Sequence, residues 1–156
     1  MNDSIFSMAK VSGTGDPFES LFYVKDTENK GIGIVECQNF TWDREKSNLC
    51  VSDKGFSFYY ARLVYNDEYA LEGYDFKHST HDEDRYYIVG TPFQLENQKL
   101  LMVVESDKKP IRNKVHIISV FVLEDLKLLK DYENNKRQIL SWRQQNVDTL
   151  LGLMRY

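Results

Sequence analysis

The chain has 156 residues and a formal net charge of -4, with 42% hydrophobic and 28% charged residues. This composition is typical of one globular domain with its own hydrophobic core, and it argues against a disordered chain. Proteins that bind duplex nucleic acid or anionic membranes usually carry clustered Lys and Arg, so the mild acidity argues against both partners.

The first residues, MNDSIFSMAKVSG, do not form the basic and apolar regions of a signal peptide, and no run approaches the ~18 apolar residues of a membrane span. Cys37 and Cys50 have no Cys or His at metal-binding spacing, which predicts two reduced and buried thiols. We therefore predict a soluble, cytoplasmic protein without a cofactor.

The chain divides into a predicted N-terminal arm, residues 1–20, and one domain, residues 21–156. Short apolar runs separated by turn residues predict strands up to residue 123. These strands are placed at residues 21–25, 32–38, 40–42, 48–52, 85–89, 93–95, 100–105 and 115–123, with a hairpin at 54–76.

The predicted hairpin is the longest aromatic-rich segment, KGFSFYYARLVYNDEYALEGYDF, with a reversal at residues 66–68. Under strand alternation, Phe56 and Phe58 fall on one face, and Tyr59 and Ala61 on the other. Neither face is polar, so we expect this hairpin to be covered on both sides.

From residue 124 to residue 154 the spacing becomes helical. One stripe is formed by Leu140, Arg143, Val147, Leu150, Leu151 and Met154, and Lys136 and Arg143 break its apolar character. The pair Asn134-Asn135 marks a point where this helix can kink. The predicted fold class is α+β, mainly β. It is a meandering antiparallel sheet or partly open barrel of about eight strands, followed by a C-terminal helix packed on it.

The loop at residues 78–84, HSTHDED, holds two of the three His beside three carboxylates. Imidazole nitrogens and carboxylate oxygens are ligands for divalent metals, so His78 and His81 are candidate metal ligands. A small metal-dependent enzyme or metal-binding protein is therefore one hypothesis, although no catalytic motif identifies a catalytic residue.

The segment KGFSFYYA at residues 54–61 is similar to the RNP1 strand of RNA-recognition motifs, in which aromatic side chains stack on bases. Ser57, Tyr59 and Ala61 depart from that pattern. The helix that such a domain requires before this strand is not predicted. Single-stranded RNA binding by the aromatic sheet face is therefore a further alternative, and the acidic charge argues against it.

The main hypothesis is a non-enzymatic protein-binding module of the inhibitor, immunity or adaptor type. Its acidic and aromatic loops would contact a protein partner, one with a basic surface being the best electrostatic match. A homodimer formed through the C-terminal helix is a second possible association. The predicted contact residues are Tyr65, Asp67, Glu68, Tyr69, Asp82, Glu83 and Asp84.

Overall fold

The computed structural model describes residues 25–26, by their backbone alone, 33–93 and 99–154. The predicted arm at 1–20 and most of the strands predicted at 21–25 and 93–95 lie outside the described residues. The strands are β1 (Lys25–Asp26), β2 (Ile34–Cys37), β3 (Phe40–Asp43), β4 (Leu71–Tyr74), β5 (Arg85–Gly90), β6 (Leu101–Ser106) and β7 (Val115–Val122). The helices are α1 (Arg44–Lys54), α2 (Phe58–Ala61) with a 3₁₀ turn at Arg62–Asn66, and α3 (Leu126–Met154).

These strands form one sheet in the order β1-β2-β3-β7-β6-β5-β4. Its neighbours are antiparallel except β3 and β7, which run parallel. The α+β class and the C-terminal helix are therefore confirmed, and the purely antiparallel meander is wrong. Among the described residues the sheet is open and mixed, so eight strands and a barrel are not confirmed.

The predicted hairpin at 54–76 is wrong in its first half, because residues 58–66 are helical. The Ser57 hydroxyl accepts a hydrogen bond from the Tyr60 amide at 3.2 Å and so begins α2. All four residues of α2 are buried, and a segment that is apolar on every side does not distinguish a strand from a helix. The second half does contain a strand, β4, which pairs with β5.

The strand predicted at 48–52 is also wrong, since these residues belong to α1. The Asp43 side chain accepts the Lys46 amide at 3.0 Å at the start of this helix. At its end, Gly55 has φ 85° and donates its amide to the Val51 carbonyl. An N-cap aspartate and a left-handed glycine are the usual boundaries of a helix, and here they outweigh the β-propensity of the residues between them.

The main core lies between the sheet and the layer formed by α1, α2 and the 3₁₀ turn. Trp42, Ile117 and Val103 are fully buried there. Cys37 and Cys50 are both buried, as predicted, and no disulfide joins them. A bulge between β6 and β7 leaves Ile118 without a partner in the register, so that Ile117 and Val120 both face this core.

The N-terminal half of α3 packs on the opposite face of the sheet, where Tyr132 joins Val89 and Leu123 in a second, smaller core. Helix α3 runs through all 29 of its residues as one element, so Asn134-Asn135 does not interrupt it. At 1.5 Å per residue it is about 43 Å long. This length carries its C-terminal half past the part of the sheet on which it packs.

Candidate functional site

The first group of predicted contact residues surrounds a buried carboxylate. Asp67 is 6% exposed. Its Oδ2 accepts the Tyr132 hydroxyl at 2.6 Å and the Thr91 amide at 2.8 Å, and its Oδ1 accepts the Tyr69 amide at 2.9 Å. We call these four residues the Asp67 cluster. It joins the 3₁₀ turn, the end of β5 and helix α3.

Helix α3 is held to the same turn at two further positions. Asn135 donates its side-chain amide to the Tyr69 carbonyl at 3.0 Å, and Arg143 donates to the Glu68 carboxylate at 2.7 Å. The Lys136 ammonium lies 5.5 Å from the centre of the Tyr69 ring. The Arg143 hydrogen bond lowers the pKa of Glu68. The predicted tip at 66–69 therefore contacts the protein's own C-terminal helix.

Asp82, Glu83 and Asp84 differ in their surroundings. Asp82 is exposed, whereas the Glu83 carboxylate accepts hydrogen bonds from Arg85 at 2.7 Å and Ser106 at 2.6 Å, which lower its pKa. Asp84 accepts the Tyr74 hydroxyl at 2.8 Å. Glu83 and Asp84 thus hold their loop against the neighbouring strands, and Asp82 remains open to solvent.

The two candidate metal ligands, His78 and His81, are exposed. The His78 Nδ1 lies 2.9 Å from an oxygen of Asp75. Across the described ranges, no three His, Cys, Asp or Glu side chains are close enough together to hold a metal ion. The metal hypothesis stays a prediction without a described ligand set.

The aromatic residues compared with RNP1 do not form an open strand surface. Phe56 and Phe58 are buried, and Tyr59 and Tyr60 are buried in the helical layer. Their rings pack against one another and against Trp42. A base needs a free ring face on which to stack, and this arrangement leaves none at these positions.

The C-terminal part of α3, residues 140–154, is an exposed apolar surface, which we call the tail. Every residue from 140 to 151 is exposed, and Trp142 and Met154 are 65% and 81% exposed. The exposed large hydrophobic residues of the tail are Leu140, Trp142, Val147, Leu150, Leu151, Leu153 and Met154. The sequence shows this stripe clearly, but it predicts packing on the sheet, because sequence spacing does not show where the sheet ends.

A pocket of about 500 Å³ opens on the face of the sheet that carries the main core, where the 3₁₀ turn ends. Tyr74, Tyr86 and Glu105 lie directly opposite one another on β4, β5 and β6, and Glu72 lies opposite Ile88 in the next row. The residues that line the pocket are Tyr65, Glu72, Gly73, Tyr74, Tyr86, Tyr87, Ile88, Glu105 and Val115.

The Tyr65 ring reaches this pocket from the helical layer. Its hydroxyl donates a hydrogen bond to the Glu105 carboxylate, and its other side packs edge-on against Phe40 at 5.0 Å. Burial raises the pKa of Tyr65, and the negative charges of Glu105 and Glu72 raise it further. We call Tyr65, Tyr74, Tyr86, Glu72 and Glu105 the tyrosine trough. Only Tyr65 was among the predicted contact residues.

The signal that could have located the trough is the period-2 placement of Glu72 and Tyr74 on β4 and of Tyr86 and Ile88 on β5. Sequence alone could not add Glu105, which reaches the trough through the pairing of β5 with β6.

No protein-family model matches the chain, and a search of curated proteins finds no match. In the part of the chain that the structure describes, no helix has the length and apolar character needed to cross a bilayer.

Proposed function

We propose that this protein is a non-enzymatic protein-binding module, of the inhibitor, immunity or adaptor type, and that its tail is the segment that enters the partner. The observation that supports the proposal is the row of large apolar side chains left in solvent along residues 140–154. Contiguous apolar surface of this kind on a folded domain usually marks an interface.

The tail continues the stripe that already packs on the sheet. Leu150 follows Tyr132 by about five helical turns and lies on the same side of α3. Tyr132 is buried, whereas Leu150 is 60% exposed. One side of the helix is therefore covered by the sheet at its N-terminal end and exposed at its C-terminal end. This favours a partner surface that covers the exposed end.

The width of the apolar surface favours a groove in another protein. At 3.6 residues per turn, the stripe from Leu150 to Leu140 spans about 80°. Leu153 and Trp142 lie about 60° and 80° beyond its edge, so apolar side chains occupy about half of the circumference. A two-helix seam between identical tails would cover a narrower stripe and leave Trp142 in solvent. A groove would cover both sets of residues, as in helix-in-groove recognition.

The charge of the tail fits an apolar groove. Its two charged side chains are Arg143, which is paired with Glu68, and Asp148. Arg143 lies within the stripe, where its ion pair with Glu68 reduces the cost of covering it, and Asp148 lies outside the stripe. Large apolar anchors such as Trp142 provide most of the binding energy in interfaces of this type.

The experiment replaces Leu150 by Glu, which places a charge in the apolar stripe. Gln145→Glu is the matched control, because it adds the same charge on the polar side of the same exposed helix. A partner captured by the whole chain is identified, purified and titrated against the three proteins by calorimetry. We expect Leu150→Glu to weaken binding at least tenfold and Gln145→Glu to leave it within twofold.

Two accompanying measurements decide what occupies the tail. Light scattering gives the mass of the wild-type chain in solution. A dimer that Leu150→Glu dissociates would show that a second copy covers the tail, contrary to the proposal. Urea unfolding gives the stability of each variant, which we expect to be unchanged within about 0.5 kcal/mol. A large loss for Leu150→Glu would show that the tail packs within its own chain. Equal binding by all three proteins would refute the role of the tail.

A further inference from the structure

The tyrosine trough combines two carboxylates with aromatic walls and no basic side chain. Its volume of about 500 Å³ lies within the range of small-ligand pockets. Glu72 and Glu105 stand on the same face of the sheet, two strands and one row apart. Two strand spacings and one row of about 7 Å separate their backbones by about 12 Å, so the two long side chains can reach one group held between them.

The negative charge of the trough is not neutralised from within. Glu105 accepts a hydrogen bond from the neutral Tyr65 hydroxyl, and Glu72 has no hydrogen bond or ion pair, within the described parts of the chain. Arg85, which precedes Tyr86 on β5, pairs with Glu83 and not with an acid of the trough. Glu105 is half-buried in the same pocket as the buried Ile88, which lowers the dielectric around it, whereas Glu72 is exposed. A positively charged ligand would be attracted more strongly here than at a fully solvated acidic surface.

The walls favour an organic cation over a metal ion. Mg²⁺ and Ca²⁺ require six or more oxygen ligands, and the trough offers two carboxylates and tyrosine hydroxyls, without a third acid or a His. Aromatic rings, in contrast, attract ammonium and guanidinium groups and contact the carbon chains attached to them. Tyr74 and Tyr86 pack edge to face at 5.5 Å, which fixes one wall of the trough.

We propose that the tyrosine trough binds an organic cation, a primary ammonium or a guanidinium group. Glu72 and Glu105 pair with its charge, and the rings of Tyr65, Tyr74 and Tyr86 contact its carbon chain. Two sources offer this chemistry, a free amine such as a polyamine and a Lys or Arg side chain of a partner protein. The trough lies on the other face of the sheet from α3 and shares no residue with the tail. This proposal therefore stands or fails independently of the proposed function.

The test is a titration of the isotope-labelled whole chain with spermidine, with capped lysine amide and with capped arginine amide, followed by amide chemical shifts. Butane-1,4-diol serves as a neutral probe of similar length. We expect the cations to shift the amides of β4, β5 and β6 around the trough in a saturable way, and the diol to leave them unchanged. Tighter binding of spermidine indicates a free amine, and tighter binding of a capped residue indicates a partner side chain.

Charge-neutral variants then assign the site. Glu72→Gln and Glu105→Gln each remove one negative charge and keep the side-chain shape, so we expect each to weaken binding about tenfold. Glu45→Gln removes an exposed acid of α1 as the matched control and is expected to change affinity less than twofold. Tyr86→Leu tests the aromatic wall at a position that is 42% exposed, and it should weaken binding severalfold.

Three results would overturn the proposal. Absence of saturable shifts with any of the three cations would show that the trough binds no such group. Equal binding by wild type and both Gln variants would place the bound cation elsewhere. Comparable binding of the diol would show that charge is not what the trough recognises.

Discussion

Replacing Tyr132 by Phe tests whether the Asp67 cluster fixes helix α3 on the sheet. Tyr132 is 4% exposed, and its hydroxyl makes the shortest of the hydrogen bonds described to Asp67, at 2.6 Å. A hydrogen bond to a charged group contributes about 1.5–3 kcal/mol. The carboxylate keeps its bonds to Thr91 and Tyr69, and Phe fills the same space. We therefore expect the free energy of unfolding to fall by about 2 kcal/mol.

Urea unfolding followed by fluorescence and circular dichroism measures this loss. With a slope of about 2 kcal/mol per molar urea, the midpoint should fall by about 1 M. Tyr86→Phe is the matched control, because Tyr86 is 42% exposed and its hydroxyl has no described hydrogen bond. Its effect should stay below about 0.5 kcal/mol. If Tyr132→Phe were no more destabilising than this control, the Asp67 cluster would not be an anchor for α3.

Two further substitutions test the packing around the same cluster and the buried thiol. A Cβ added at Gly90 would lie 2.8 Å from Asp67 Oδ2 and 3.1 Å from Val64. Gly90→Ala should therefore lower the free energy of unfolding by about 1–3 kcal/mol. Gly152→Ala is the control and should not lower it, because nothing lies within 4 Å of a Cβ added there. Burial raises the pKa of the Cys50 thiol from 9.0 to about 11. The folded state therefore keeps a proton that the unfolded chain loses, and stability should fall as pH rises from about 9 to 11. Unfolding measured at intervals of pH should show a flatter profile for Cys50→Ala, and parallel profiles would contradict this cause.

The sequence predicts the parts of the fold whose burial alternates. Strands β5, β6 and β7 lie within about two residues of their predicted ends, because each has one face in the main core. The helix near the C-terminus is likewise evident from its spacing. Periodicity does not predict the structure of the segment at 56–65. Consecutive side chains such as Phe58, Tyr59 and Tyr60 are all buried, so buried and exposed positions do not alternate there.

The sheet order is the other part that sequence could not supply. A parallel pair between β3 and β7 joins residues about 75 positions apart, such as Thr41 and His116. No local pattern encodes such a contact, because it depends on how the helical layer covers the face between them. The burial of two predicted contact residues, which the sequence does not indicate, has a related cause. Asp67 and Tyr69 have the composition of an exposed acidic turn, and only the docking of α3 buries them.

The contacts between the turn at 66–69 and helix α3 also affect how the tail can bind a partner. Tyr132, Asn135 and Arg143 attach α3 to this one turn over about three helical turns. Every residue of the helix from 140 to 151 is exposed, and Arg143 makes the last of these contacts. The direction of the rest of the tail is therefore set by the Asp67 cluster and by the ion pair between Glu68 and Arg143 near the start of the tail. A rigidly directed helix loses less conformational freedom on binding than a loose one, which favours association. Weakening the cluster should then reduce partner affinity without touching a residue of the interface, and the Tyr132→Phe protein provides that comparison.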